Sequence, residues 1–158
     1  MSDPFVHLRV ASGYSLRYGA SQPAALVADA ADAEMDTLAI TDRDGLYGAV
    51  KFARACQRTG IAPVVGVDHT MADGSRAVSL ATSRKGWASL CRLTSAVHLA
   101  GERGKPHCTP ELIAGHDDLV VTLGDDSDLG RALASGSSDD AERVLRGWLN
   151  VVERHRLA

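Results

Sequence analysis

The side chains able to do chemistry fall in four short stretches. His7, Arg9 and Ala11 lie in "FVHLRVASGYSLRYGAS", and Asp42, Arg43 and Asp44 in "LAITDRDGLYG". Asp68 and His69 close "GIAPVVGVDH", and Asp125 and Asp126 follow "LVVTLG". Carboxylates and imidazoles gathered from separate strands are the groups that ligate divalent metals or serve as bases in hydrolysis. Arg9 and Arg43 are not such groups: a guanidinium stays protonated and only donates, so its natural partner is an anion. Other chemistries lack their patterns. Ser12 and Ser15 sit in no G-x-S-x-G and have no identifiable His–Asp pair to activate them, which leaves them as turn formers. "GERGKP" departs from the Walker order, and no G-x-G-x-x-G follows the first apolar run, so a nucleotide cofactor is not expected.

Alternating strands and helices must position these stretches. Residues 5–10 alternate as a strand and run into a loop carrying Ser12, Gly13, Ser15 and Gly19. Ser21 is the expected N-cap of a helix with Pro23 in its first turn, an apolar stripe of Leu26, Val27, Ala30 and Ala31, and an end near Met35. "TLAITD" reads as a buried strand. Leu46, Val50, Ala53 and Cys56 mark a second helix ended by Gly60, and "APVVGVDHTM" the next strand. "AVSLATS" (77–83), a helix through Trp87, Leu90, Cys91, Thr94 and Val97, the loop "AGERGKPH" and the strand "DLVVTLGDD" follow. Residues 127–151 are mainly helical, with a break at "SGSSDD" where Ser138 or Asp139 would cap a helix bearing Val144, Leu145, Trp148 and Leu149. Such alternation predicts an α/β fold with a parallel sheet and right-handed crossovers, open or part of a barrel. Either form gathers ligands at the C-terminal strand ends, so the four stretches are expected to meet in space.

Composition sets limits. The 158 residues suit one domain, and an apolar content of 45% supplies its core. Seventeen basic and twenty acidic side chains leave a net charge of −3, which argues against nucleic-acid binding through overall charge; DNA contact through Arg9, Arg43, Arg103 or Lys105 would be local and weak. Cys56, Cys91 and Cys108 are odd in number, and two lie in helical patterns, so reduced thiols and a cytoplasmic setting are expected. No targeting pattern or membrane span is legible. His7 reads as a structural histidine, and alternation turns His69 away from the face of Asp68. His98, His107 and Cys108 fit no zinc spacing and read as a solvated loop, and Trp87 and Trp148 as packing residues.

The quoted stretches, together with "RKGWASLCRLTSAVHLAGERGKP", keep an order and spacing that resembles the N-terminal PHP (polymerase and histidinol phosphatase) domain of bacterial C-family DNA polymerases, the polymerase III alpha subunit and its error-prone relatives. The resemblance covers nearly the whole chain. It implies a single PHP domain over 1–158, forming part of a distorted β/α barrel of seven strands, with several strands lying beyond "VVERHRLA". Metal-bearing members hold divalent ions through His, Asp, Glu and Cys for phosphoester hydrolysis. Carried over by position, the His-x-His pair falls on Arg9 and Ala11, an Asp on Tyr18, and a later His on Arg43. The Glu position falls on Asp68, and the late Cys on Asp125.

No usual metal ligand remains at Arg9, Ala11, Tyr18 or Arg43, so no metal cofactor and no catalytic residue are expected. Asp68, Asp125 and His7 are the weak residual donors. The expected role is a non-catalytic structural and docking module of a replicative or translesion polymerase, partnered by the remainder of the polymerase chain, with self-association through an uncovered sheet edge. Two rivals are a residual manganese- or zinc-dependent phosphoesterase and a protein that binds phosphate or another anion through Arg9 and Arg43. Arg9 and Arg43 are further expected to neutralise Asp68 and Asp125, because a buried carboxylate without counter-charge is costly.

Overall fold

A computed structural model describes residues 5–158, which form two compact units, one ending at Asp68 and the other beginning at His69. Its four strands form one α/β sheet in the order β1-β2-β3-β4, with two ends rather than a closed ring.

In the first unit, α1 (Pro23–Asp32) leads to β1 (Thr37–Arg43), α2 (Ala49–Thr59) and β2 (Ala62–Thr70), which runs past the unit's end. β1 and β2 pair in parallel, Thr37 opposite Ala62 and Arg43 opposite Asp68, so both strands deliver their last residues to the same edge. Leu38 to Asp42 is buried on both faces, as a helix-covered parallel strand requires. The core joins Val27 and Ala30 of α1, Leu38 and Ile40 of β1, and Phe52, Ala55 and Cys56 of α2. Burial pushes the Cys56 thiol above its ordinary range, in keeping with an inert core residue.

Three local expectations are corrected here. The buried face of α2 is Ala49, Phe52, Ala55 and Cys56, while Val50 is 57% exposed: the face is turned one position so that Phe52, the largest apolar side chain, enters the core. Residues 5–10 run beside β1 without completing a regular ladder. The amides of Ala39 and Thr41 donate to the carbonyls of His7 and Val10, but the Val10 N–H donates to the Thr41 hydroxyl at 2.8 Å instead of to backbone. Gln22, whose side chain makes no capping bond, precedes α1 in place of the expected Ser21, and Pro23 opens the helix. Gly60 takes its expected place after α2, at φ +83°, where a Cβ would be strained.

The second unit carries β3 (Arg76–Ala81), α3 (Arg84–Ala100), α4 (Pro110–Ala114), β4 (Leu119–Thr122), α5 (Asp128–Ala134) and α6 (Ser138–Val151). β4 runs antiparallel to β3, against the all-parallel expectation. The link between them holds two helices, α3 and the short α4 that the sequence pattern did not reveal, and so is no single-helix crossover. Leu90, Leu93 and Val97 form the buried stripe of α3, with Ile113, Leu119, Val121, Trp148 and Val152 also fully buried in this unit.

Trp148 is a packing residue as expected, and its indole N–H donates to the Asp128 carboxylate at 3.0 Å. Ser137 rather than Ser138 or Asp139 caps α6, accepting from the Asp140 N–H. Near the C-terminus, the guanidinium of Arg156 donates to the carbonyls of Leu119 at 3.1 Å and of Ile113 and Ala114 at 3.4 Å, tying the last turn of the chain to the end of α4 and the start of β4.

Ser83 caps α3, its hydroxyl accepting from the Gly86 N–H at 3.0 Å. Replacing Ser83 with alanine is expected to lower stability by about 1 kcal/mol in urea unfolding, and glycine to cost only a few tenths.

Candidate functional site

Within the first unit, the ends of β1 and β2 and the loop 11–20 gather five of the polar residues singled out above. Asp42 is 2% exposed, and its carboxylate is filled from the loop: Oδ1 accepts the Ser12 N–H at 2.7 Å and the Ser15 hydroxyl at 2.8 Å, and Oδ2 the Ser12 hydroxyl at 2.9 Å. The Ser15 hydroxyl oxygen in turn accepts the Arg43 N–H at 2.9 Å. Ser12 and Ser15 are therefore more than turn formers: they lock the loop to the strand through a buried ion. Their spacing of three opposite "TD" was the available signal. Gly19 closes the loop on itself, since a Cβ there would stand 1.9 Å from the Ser12 carbonyl oxygen.

Beside this lock, Arg9 reaches Asp68. Its Nη2 lies 2.9 Å and its Nε 3.2 Å from Asp68 Oδ2, with the Asp68 side chain 3% and that of Arg9 30% exposed. Counter-charge for Asp68 thus comes from Arg9, as the sequence led one to expect. Arg43 departs from the expectation. Its guanidinium carbon stands 3.4 Å from the centroid of the Tyr18 ring, a cation–π contact, and it forms no ion pair with a carboxylate among the described residues. Tyr18 and Arg43, at which the resemblance would have set ligands, are partners of one another, and the Nε of Arg43 is buried with no acceptor. Ala11 is half-buried and contributes no donor beyond backbone.

His7 is exposed, edge-on to Phe5 with centroids 4.8 Å apart, rather than enclosed in a strand. His69 is fully buried on β2 next to Asp68. Asp125 and Asp126 belong to the second unit, where exposed Asp125 accepts the Asp126 N–H at 3.0 Å. His98 and His107 are exposed while Cys108 is buried, so these three form no common donor set. Divalent-metal ligation asks for three or more lone-pair donors converging on one point. The residues present do not fit that demand: Oδ2 of Asp68 already holds a guanidinium, and Arg43 and Tyr18 hold each other.

A family model described as PHP domain matches residues 7–158. The error-prone DNA polymerase of Symbiobacterium thermophilum is 44% identical over 157 residues, spanning 94% of this chain and 14% of that protein. That of Mycolicibacterium paratuberculosis is 34% identical over 158 residues, spanning 91% and 14%. The DNA polymerase III subunit alpha of Halalkalibacterium halodurans is 34% identical over 122 residues, spanning 75% and 11%. The chain therefore covers about 14% of the length of the first two of these relatives.

Proposed function

From a chain that belongs to the PHP domain family and is related to much larger DNA polymerases, we propose a non-catalytic module that docks onto a polymerase body in replication or translesion synthesis. The observation that carries this reading is the Arg9–Asp68 pair: a guanidinium is held by the buried carboxylate to which the resemblance assigns a metal ligand's place. Hydrolysis of a phosphoester by this family's chemistry needs a polarising ion and an activated water. Arg9 supplies charge, but it offers no open coordination position and cannot lower a bound water's pKa as a metal does. What survives is a rigid surface, since the Asp42 lock and the Arg9 pair fix the loop 11–20 against two strand ends.

The open sheet is read as part of a seven-stranded PHP barrel in a cytoplasmic polymerase. A parallel bridge between Val121 and Leu157 supports this, because it lays extended backbone beside β4. A second copy is the competing occupant of an uncovered edge.

The docking role is tested by mixing this chain with the Symbiobacterium thermophilum polymerase lacking its matching segment. A one-to-one complex on size-exclusion chromatography is expected. Two species that elute separately, or a homodimer in place of the complex, would remove the docking reading.

A further inference from the structure

All three tyrosines of the chain, Tyr14, Tyr18 and Tyr47, fall in the two loops around the Asp42 lock, and the first two are each placed against a cation. Arg43 covers Tyr18, Lys51 Nζ lies 5.3 Å from the centroid of Tyr14, and Gly48 lies against both Tyr14 and Asp42. Around them stand Leu16 at 84%, Tyr47 at 73% and Val50 at 57% exposure. Arg17 holds a left-handed backbone at φ 64°, a conformation that costs energy in a residue with a Cβ and that presents Leu16 and Tyr18 outward on either side of it.

The charge of the first unit is unevenly divided between its ends, although Arg58 in the last turn of α2 stands at the acidic one. Exposed Asp29, Asp32, Glu34 and Asp36 stand where α1 leads into the start of β1, whereas Arg17, Arg43 and Lys51 stand at the strand's end. There the acids are spent: Asp42 is filled by Ser12 and Ser15, and Asp68 holds Arg9. Asp44 is the one other acid on these loops. This end is thus cationic, apolar and rigid, and it contains a buried guanidinium nitrogen lacking an acceptor.

We infer that this loop end is the docking surface for a partner polypeptide segment that offers a carboxylate flanked by apolar side chains. The carboxylate pairs with the outer guanidinium nitrogens of Arg43, which are not enclosed as its Nε is, and the apolar groups cover Leu16, Tyr47 and Val50. Tyr and Arg side chains on a preorganised loop are the composition of an interface hot spot, since little freedom is lost on binding. A nucleic acid strand fits less well: cations already occupy one face of Tyr18 and of Tyr14, and the aliphatic Leu16 and Val50 offer no stacking platform. This inference rests on the docking reading and gives it a partner chemistry.

The test selects a random-peptide display library on the immobilised full chain, then measures the recovered peptides and an oligothymidylate by fluorescence anisotropy. Enrichment of sequences pairing Asp or Glu with Leu, Ile or Phe is expected. Leu16→Ser and Arg43→Gln should each weaken binding about tenfold. Leu16 is so exposed that its replacement leaves folding intact, which keeps the test decisive if Arg43→Gln does not fold. Failure to enrich, binders without acids, or binders indifferent to both substitutions would overturn the inference, and tighter Leu16- and Arg43-dependent binding of the oligothymidylate would replace it with a nucleic-acid surface. A polymerase body that binds wild type and Leu16→Ser equally would leave docking standing while excluding this surface.

Discussion

Asp42→Ala is expected to destabilise the protein by about 4 kcal/mol, a large part of the stability of an ordinary domain. Three donors, the Ser12 N–H and the hydroxyls of Ser12 and Ser15, converge on the carboxylate in a site closed to water, and alanine would leave all of them without it. An unmet buried donor costs roughly 1–3 kcal/mol, and bonds to a charged acceptor are at the upper end of the scale. For a chain of this size the midpoint of thermal unfolding should fall by roughly 10 °C. Asp42→Asn keeps one oxygen for the Ser12 N–H while its amide group can donate to a serine hydroxyl, so about half the loss is expected. Urea unfolding with far-ultraviolet circular dichroism measures both. An alanine variant within about 1 kcal/mol of wild type would mean that the loop opens and finds water, and that the lock is not what holds it.

The second large effect concerns Arg9 and Asp68. Arg9→Met should cost about 3 kcal/mol, because it leaves the almost fully buried carboxylate of Asp68 without the guanidinium that neutralises it. Asp68→Leu removes the charge itself and should cost less. In the double variant the two losses should not add, and a coupling of about 2 kcal/mol is expected from the cycle. Both residues make further contacts, so the coupling and not full recovery is the quantity to read. Additive losses would mean that the pair is incidental.

Much of the fold was legible because its signals are local. The run "TLAITD", buried from Leu38 to Asp42, and Gly60 at a helix end each follow from nearest-neighbour physics. The antiparallel turn of β4 was not legible, since nothing in Leu119–Thr122 encodes direction; it is set by how α3 and α4 return the chain. Nor was the burial of Phe52 over Val50, where two faces one residue apart compete and the bulkier side chain decides.

At the site, residue type alone indicated that Arg9 would seek a carboxylate, and Asp68 is that carboxylate. Arg43 was equally cationic, but its choice of Tyr18 depends on where the loop 11–20 folds back. That in turn depends on Ser12 and Ser15, whose hydroxyls carry little weight in a sequence until the acid they meet is known.

A non-catalytic module requires that Arg9 stand at Asp68 in place of a metal. The direct measurement is elemental analysis of the protein purified without chelator and then dialysed against manganese or zinc, read beside phosphoesterase turnover. The predicted result is metal far below one ion per chain and no turnover dependent on Asp68. Stoichiometric metal, with phosphoester hydrolysis abolished by Asp68→Ala, would contradict it.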